Sequence, residues 1–439
     1  MRANPLAAIL AGLVFLSLGF SVHAETVALV GGTVIDVSSF GKSQSDIKSA
    51  VVLIEGEKIT AVGSKDVVKI PKDARVIDVR GKYVVPGLID GYAALDNQSY
   101  ANAYLYIGVT SIVGCHGYKR GALFEDANPS PNIYLYGDVA HHEIGTDEIL
   151  ARIEACANRG VKFLNLMYAL KPEQLKPAIE RAHELGMVAI GEFVNISYRD
   201  AIRYGIDGFI HFNRYSIELA PDEMRRKVAE QPFGHGRGEY MKYLQELSPE
   251  EEIVRDYAKI LGSSPVALMP TMSVISMDHP LLENPWNERV ASILDPADIH
   301  NPVNKSTGKH DYKPEAFEKI ARAIDNFLKI ENQYYKAGAR YLAGSGNDIN
   351  GTMPGISLHQ ELLLLTKIGL SEREALAAAT SNFAEFFNWK EAGEVKPGRR
   401  ADLVVTDKNP LEDIKNLKQI SLVMLRGKII DREELLKAT

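Results

Sequence analysis

The sequence predicts an α/β protein: a (β/α)8 barrel accompanied by a small β-sandwich that both ends of the chain build together. Three observations carry this reading. The chain has 439 residues, 46% of them hydrophobic and 24% charged, which is too long for one ordinary domain and rich enough to bury a large core. Both ends of the chain consist of short β-branched runs bounded by Gly, Pro or Lys-Asp, the texture of strands. The middle instead alternates short apolar runs with helical patterns, as a parallel sheet covered by helices requires.

Taken in order, residues 1–24 read as an export signal. Arg2 supplies a positive start, residues 6–22 carry no charge, and Val22-His23-Ala24 offers a cleavage site before Glu25. The apolar run is short for a span, which needs about 20 residues; an uncleaved anchor is the alternative. The expected location is therefore exported, in the periplasm, with no membrane span in the mature form. Strands follow at Val27-Ala28-Leu29-Val30, Gly32-Thr33-Val34-Ile35, Val51-Val52-Leu53-Ile54 and Arg75-Val76-Ile77-Asp78-Val79, and return at Ala401-Asp402-Leu403-Val404-Val405 and Leu422-Val423-Met424-Leu425. Eight barrel runs lie between: Val84-Val85, then runs beginning at Gly108, Asn132, Lys162, Val188, Gly208, Val266 and Arg340. The spacing of Leu175, Ile179, Ala182 and Leu185 predicts one of the intervening helices over 174–185. The chain thus divides into a signal segment 1–24, a composite sandwich of 25–83 plus 394–431, and a barrel over 84–393 with inserted helices or a lid at about 232–335.

Charge and motif content exclude several functions. The net charge is -7, from 50 basic and 57 acidic residues without a basic run, so nucleic acid is not a partner. Two cysteines, Cys115 and Cys156, make no disulfide framework. There is no Gly-x-Ser-x-Gly elbow, phosphate-binding loop or Cys-x-x-Cys pair. The polar stretch 304–309 between His300 and His310 reads as an exposed loop, His183 as a surface residue of its helix, and His235 and His279 as residues that line the lid.

Pro86-Gly87-Leu88-Ile89-Asp90 strongly resembles the first barrel strand of the amidohydrolase superfamily, in its imidazolonepropionase-like and Xaa-Pro dipeptidase-like branch. Gly108-Val109-Thr110, Gly205-Ile206-Asp207, Glu394-Val395-Lys396-Pro397-Gly398, Ala401-Asp402-Leu403-Val404-Val405 and Asn409-Pro410-Leu411-Glu412-Asp413-Ile414 match in family order, from about residue 27 to 430. The resemblance implies a TIM-type barrel, hydrolysis of carbon–nitrogen bonds assisted by one or two divalent ions, and a homo-oligomer. It also implies where the ligands belong, and there this sequence departs from the pattern. The paired first-strand histidines fall on Tyr92 and Ala94, the fourth-strand lysine on Asn165, the fifth-strand histidine on Gly191 and the eighth-strand aspartate on Gly346. His211 alone keeps its family position, with Asn347 and Asp348 one shift away from the last.

Three readings follow. In the first, the fold binds a small amide, peptide-like or cyclic-amide molecule, or acts on it with side chains alone and without a metal cofactor. The second keeps an active hydrolase of C–N bonds with an atypical zinc site. The third is a catalytically inactive partner subunit of an intact paralogue. For the first reading the candidate catalytic residues are His211, Glu192 and Asp348, and the candidate substrate-binding residues are Tyr92, Asn165, His141, His142 and Arg214. Cys115 and His116 complete the side chains placed at the barrel mouth. Glu192 needs a cationic partner if buried, and Arg181, Arg199 and Arg214 are the choices.

Overall fold

The structure is a computed structural model that describes residues 25–437 apart from 116, 118–120 and 232–234. Residues 1–24, expected to be an export signal, and His116 lie outside the described residues. Five strands open the described chain: β1 (Thr26–Val34), β2 (Ile47–Glu55), β3 (Lys58–Ser64), β4 (Arg75–Asp78) and β5 (Tyr83–Pro86). The barrel strands are β6 (Leu88–Ala94), β7 (Val109–Cys115), β8 (Asn132–Val139), β9 (Phe163–Leu166), β10 (Val188–Gly191), β11 (Gly208–Ile210), β12 (Ala267–Met269) and β13 (Arg340–Tyr341). Three more strands, β14 (Leu403–Thr406), β15 (Ile420–Leu425) and β16 (Lys428–Ile429), return to the first sheet.

The first sheet runs β16-β15-β14-β5-β1-β2-β3, with β4 also paired to β1. Period-two alternation gives it two buried faces. Val27, Leu29, Val52, Ile54, Val84 and Val405 pack on one side, and Ala28, Val51, Leu53 and Val68 on the other. The run Val84-Val85, expected to open the barrel, belongs to this sheet: Val84 pairs with Val405 and Val85 with Val404 in antiparallel register. The first barrel strand is instead the Leu88-Ile89-Asp90 segment itself. Local composition cannot tell these two adjacent β-rich runs apart; the partner strand from the far end of the chain decides.

The second sheet is parallel in the order β13-β12-β11-β10-β9-β8-β7-β6. Its ends meet through Gly91 N–H to the Ala343 carbonyl (3.0 Å), Gly346 N–H to the Tyr92 carbonyl (3.0 Å) and Ala94 N–H to the Asn347 carbonyl (2.8 Å), which closes the barrel. Two glycines are dictated by close approach. A Cβ on Gly87 would stand 2.1 Å from Thr110 Oγ1, and one on Gly91 would stand 2.7 Å from Phe383 Cζ. The bottom of the barrel is filled by Ile89, Val113, Phe163, Ile190, Ile210, Met269 and Leu342, closed from below by Phe383 and Trp389. The helix read over 174–185 is Pro172–Glu184, which buries Leu175, Ile179 and Ala182. The sheet is tied to the barrel by a buried polar junction: Asn132 Nδ2 donates to Asp402 Oδ2 (2.9 Å) and Arg426 Nε to Asn132 Oδ1 (2.7 Å).

The 232–335 region supplies helices His235–Glu246, Glu252–Ser263 and Pro314–Lys336 around strand β12. Its polar stretch is not a free loop throughout. Lys305, Ser306 and Thr307 are exposed, but Lys309 Nζ donates to the carbonyls of Met277 and His279 (3.1 and 2.7 Å) and His310 Nδ1 lies 2.8 Å from Asp278 Oδ2. A buried carboxylate and the two backbone carbonyls capture the end of the stretch that composition alone marks as solvent-facing. His279 is buried against Asp325 (3.2 Å), while His183 is half-exposed beside Asp207. Among the described residues, no helix is long and apolar enough to cross a membrane.

Candidate functional site at the barrel mouth

A parallel barrel leaves its C-terminal strand ends free to carry side chains of the following loops. Here those ends surround a cavity of about 520 Å³. Tyr92 reaches it from β6, Asp138 from β8 and His141 from the turn beyond, Glu192 from just past β10, His211 and Arg214 from past β11, and Asp348 from past β13. Six residues singled out in the sequence, Tyr92, His141, Glu192, His211, Arg214 and Asp348, thus share one cavity. Two do not line it. Asn165 is fully buried in β9, where its Nδ2 donates to Tyr136 Oη (2.8 Å), and His142 is exposed outside the cavity. The reason is local: His141 turns back onto Asp138, and the next side chain is carried to solvent.

A buried ion pair forms the site's polar floor. Arg214 Nε donates to Glu192 Oε1 at 3.0 Å, and both side chains are only 7% exposed. This settles the choice among the three arginines, because Arg181 pairs with Glu154 and Glu184, and Arg199 with Glu218. His211 Nε2 lies 3.9 Å from Glu192 Oε2, its Nδ1 lies 2.6 Å from Thr271 Oγ1, and its ring meets Tyr92 edge-to-face with centroids 5.4 Å apart. Burial lowers the His211 pKa to about 4; Glu192 opposes that shift, and Arg214 and Arg237 reinforce it. The ring is therefore neutral at neutral pH. His141 is perturbed the other way. Its Nε2 sits 3.1 Å from Asp138 Oδ1, and that hydrogen bond raises its pKa despite partial burial. Burial pushes the Cys115 thiol far upward, so it has no nucleophilic character.

Asp138, Thr271 and Arg237 are site residues that the sequence did not single out. Asp138 had a usable signal, an acid three positions before His141 at a strand end. Thr271 and Arg237 had none, since a lone Thr after Pro270 and one Arg in an inserted helix look like any others.

With the geometry in place, residues 308–430 match the model of the amidohydrolase family, and the chain shares the fold of solved amidohydrolases. Solved structures sharing the fold include a putative prolidase from Bifidobacterium longum (19% identity, TM-score 0.61, covering 94% of this chain and 98% of that one). A Xaa-Pro dipeptidase with bound methionine matches at 16% identity and TM-score 0.63, over 92% of this chain and 100% of the other. Bottromycin amidohydrolase matches at 17% and 0.67, over 93% and 88%. Among curated relatives, adenine deaminase 1 of Desulfotalea psychrophila is 37% identical over 100 residues, 22% of this chain. The enamidase of Eubacterium barkeri is 24% identical over 238 residues, 45% of this chain. The matches span only 16% of that deaminase and 61% of that enamidase.

These relatives correct one expectation. A protein without a metal cofactor does not follow from the substitutions at 92, 94, 165, 191 and 346, because the amidohydrolase family and its prolidase and adenine deaminase members are metal-dependent. The side chains placed here do not by themselves fit the family's ion. Among the described residues, no three His, Cys, Asp or Glu converge closely enough to hold one, and Glu192 Oε1 is already committed to Arg214.

Proposed function

We propose that the protein hydrolyses a C–N bond in a small cyclic amide, amidine or peptide-like molecule held in the barrel-mouth cavity. The observation that supports it is the placement of an unprotonated imidazole, His211, beside the buried Glu192–Arg214 pair in one cavity, since a proton acceptor must be unprotonated and within reach of the water it activates. His211 Nε2 takes a proton from water as its oxygen bonds to the carbon. The C–N bond then breaks, and the departing nitrogen takes a proton from His141, whose protonated form the Asp138 hydrogen bond favours; His211 then releases its proton to solvent and His141 takes one up, which restores the site. Arg214 and Glu192 orient the polar groups of the substrate, Tyr92 packs on it, and Asp348 contacts it from the far end of the strand circle. The name of the enamidase relative favours an amide C–N bond, and that of the adenine deaminase relative the C–N bond of an amino group carried on a ring. The pocket volume, within the 300–1,000 Å³ usual for small ligands, accommodates a molecule of that size. We propose a periplasmic location from the signal-like character of residues 1–24; sequencing of the native N-terminus is expected to find Glu25, and an intact Met1 would overturn it.

The test is turnover of a panel of cyclic amides, aminopurines, N-acyl amino acids and dipeptides, with added zinc or manganese and again after chelation. Turnover of at least one class is expected, with His211→Ala lowering kcat/KM by about 100-fold or more and Glu192→Gln raising KM. No turnover under any condition, or full activity in His211→Ala, overturns the reading.

A further inference from the structure

We infer that Thr271 is the positioning residue of the site: it holds the His211 imidazole in the Nδ1–H form, so that Nε2 presents a bare lone pair to the cavity. This rests on the hydrolytic reading above, for which a proton acceptor must face the substrate.

The argument is an accounting of hydrogens. The Thr271 hydroxyl has one proton and lies 2.8 Å from the Pro270 carbonyl oxygen, as well as 2.6 Å from His211 Nδ1. The Pro270 carbonyl also accepts the Phe212 N–H at 3.0 Å, which uses one of its two lone pairs and leaves one for the hydroxyl. Once that proton is given to Pro270, Oγ1 offers only lone pairs to the ring, so Nδ1 must donate. A neutral imidazole carries one N–H, and Nε2 is then unprotonated. Its 3.9 Å separation from Glu192 Oε2 is too long for a hydrogen bond, as expected of two facing acceptors.

Backbone geometry supports the assignment independently. His211 has φ +63° and Thr271 φ +46°, both in the left-handed region that a β-branched or bulky residue rarely enters. Strain of this kind persists where surrounding structure imposes it, and it concentrates at functional sites. The imposing contacts are visible. His211 N–H donates to the Met269 carbonyl at 3.0 Å, and the buried Glu361 carboxylate accepts the N–H groups of Met272 and Ser273 at 3.0 and 2.7 Å. The strand end that carries Thr271 is thereby locked against the one that carries His211.

The experiment is ¹⁵N NMR of the full protein labelled at histidine, with the His211 resonances assigned by their loss in His211→Ala. The expected wild-type pattern is a protonated Nδ1 and an unprotonated Nε2. In Thr271→Val, which removes the acceptor, the pattern shifts toward Nε2–H. On any substrate found to turn over, kcat falls about tenfold, the lower range for loss of a group that orients a site residue, while KM changes less than twofold. Thr271→Ser restores both readouts. An Nε2–H pattern in the wild type overturns the inference even if Thr271→Val fails to fold, and so does an unchanged pattern in a folded Thr271→Val. The expected spectra without turnover of any C–N substrate would instead overturn the hydrolytic reading and leave this assignment standing.

Discussion

The two ends of the barrel obey opposite rules. At the bottom, Phe163, Met269, Phe383 and Trp389 fill the axis with apolar volume, and Phe383 stacks on Trp389 with centroids 5.7 Å apart. At the mouth, other strands of the barrel lead into Tyr92, Glu192, His211 and Arg214, buried or nearly so, around open space. Burying charge is unfavourable unless each group is paired, and the mouth pairs them at the cost of strained backbone at His211 and Thr271. The bottom therefore stabilises the fold, and the mouth draws on that stability to keep polar groups dry and oriented.

This contrast can be broken most forcefully from below. Phe383→Ala opens a hole against Gly91 and Trp389 and should cost about 3–5 kcal/mol, read as a lower urea midpoint, while the protein that remains folded keeps its ligand affinity. An affinity loss matching that of Glu192→Gln would mean that the two ends are coupled.

A smaller effect probes the buried carboxylates behind the mouth. Glu331 accepts hydrogen bonds from Tyr215 Oη (2.5 Å) and Tyr341 Oη (2.6 Å), and burial raises its pKa from 4.5 to about 7. Between those values the folded protein keeps a proton that the unfolded chain releases. The contribution to stability is therefore complete below about pH 4.5 and is lost as pH rises through about 7. Glu331→Gln cannot titrate, so its urea midpoint should fall less between about pH 5 and about pH 8 than the wild type's. Glu361, raised in the same way, retains its own share of the slope. Parallel slopes would show that Glu331 stays ionised in the fold.

The smallest expected effect sharpens the boundary of the site. His142 is exposed beside the cavity rather than in it, so His142→Ala should change stability by less than about 0.5 kcal/mol and leave turnover unaltered. A measurable rise in KM would extend the site across the β8 loop.

What the sequence disclosed follows from the range of each interaction. Gly87 and Thr110 sit in short motifs because they touch each other, and motifs of that kind are readable one residue at a time. His211 was legible by its place after a strand. Its partner was not: Thr271 is 60 positions away, and only the pairing of β11 with β12 brings it within reach. Val84-Val85 went to the other sheet for a similar reason, since a run of β-branched residues announces a strand without saying which strand it joins. The cofactor expectation failed differently, because reading ligands off aligned positions says nothing of what relatives with the same fold require.

The pairing of β5 with β14 has a consequence for biosynthesis. Lys82 and Asp407, which meet at this seam through a 2.7 Å ion pair, are 325 positions apart. During translation the edge of β5 therefore emerges early and waits, with unpaired amides, until nearly all of the barrel has been made. An open strand edge invites pairing with another chain, so the nascent protein has a long interval in which a chaperone would be useful, and it ends only when β14 leaves the ribosome and closes the seam.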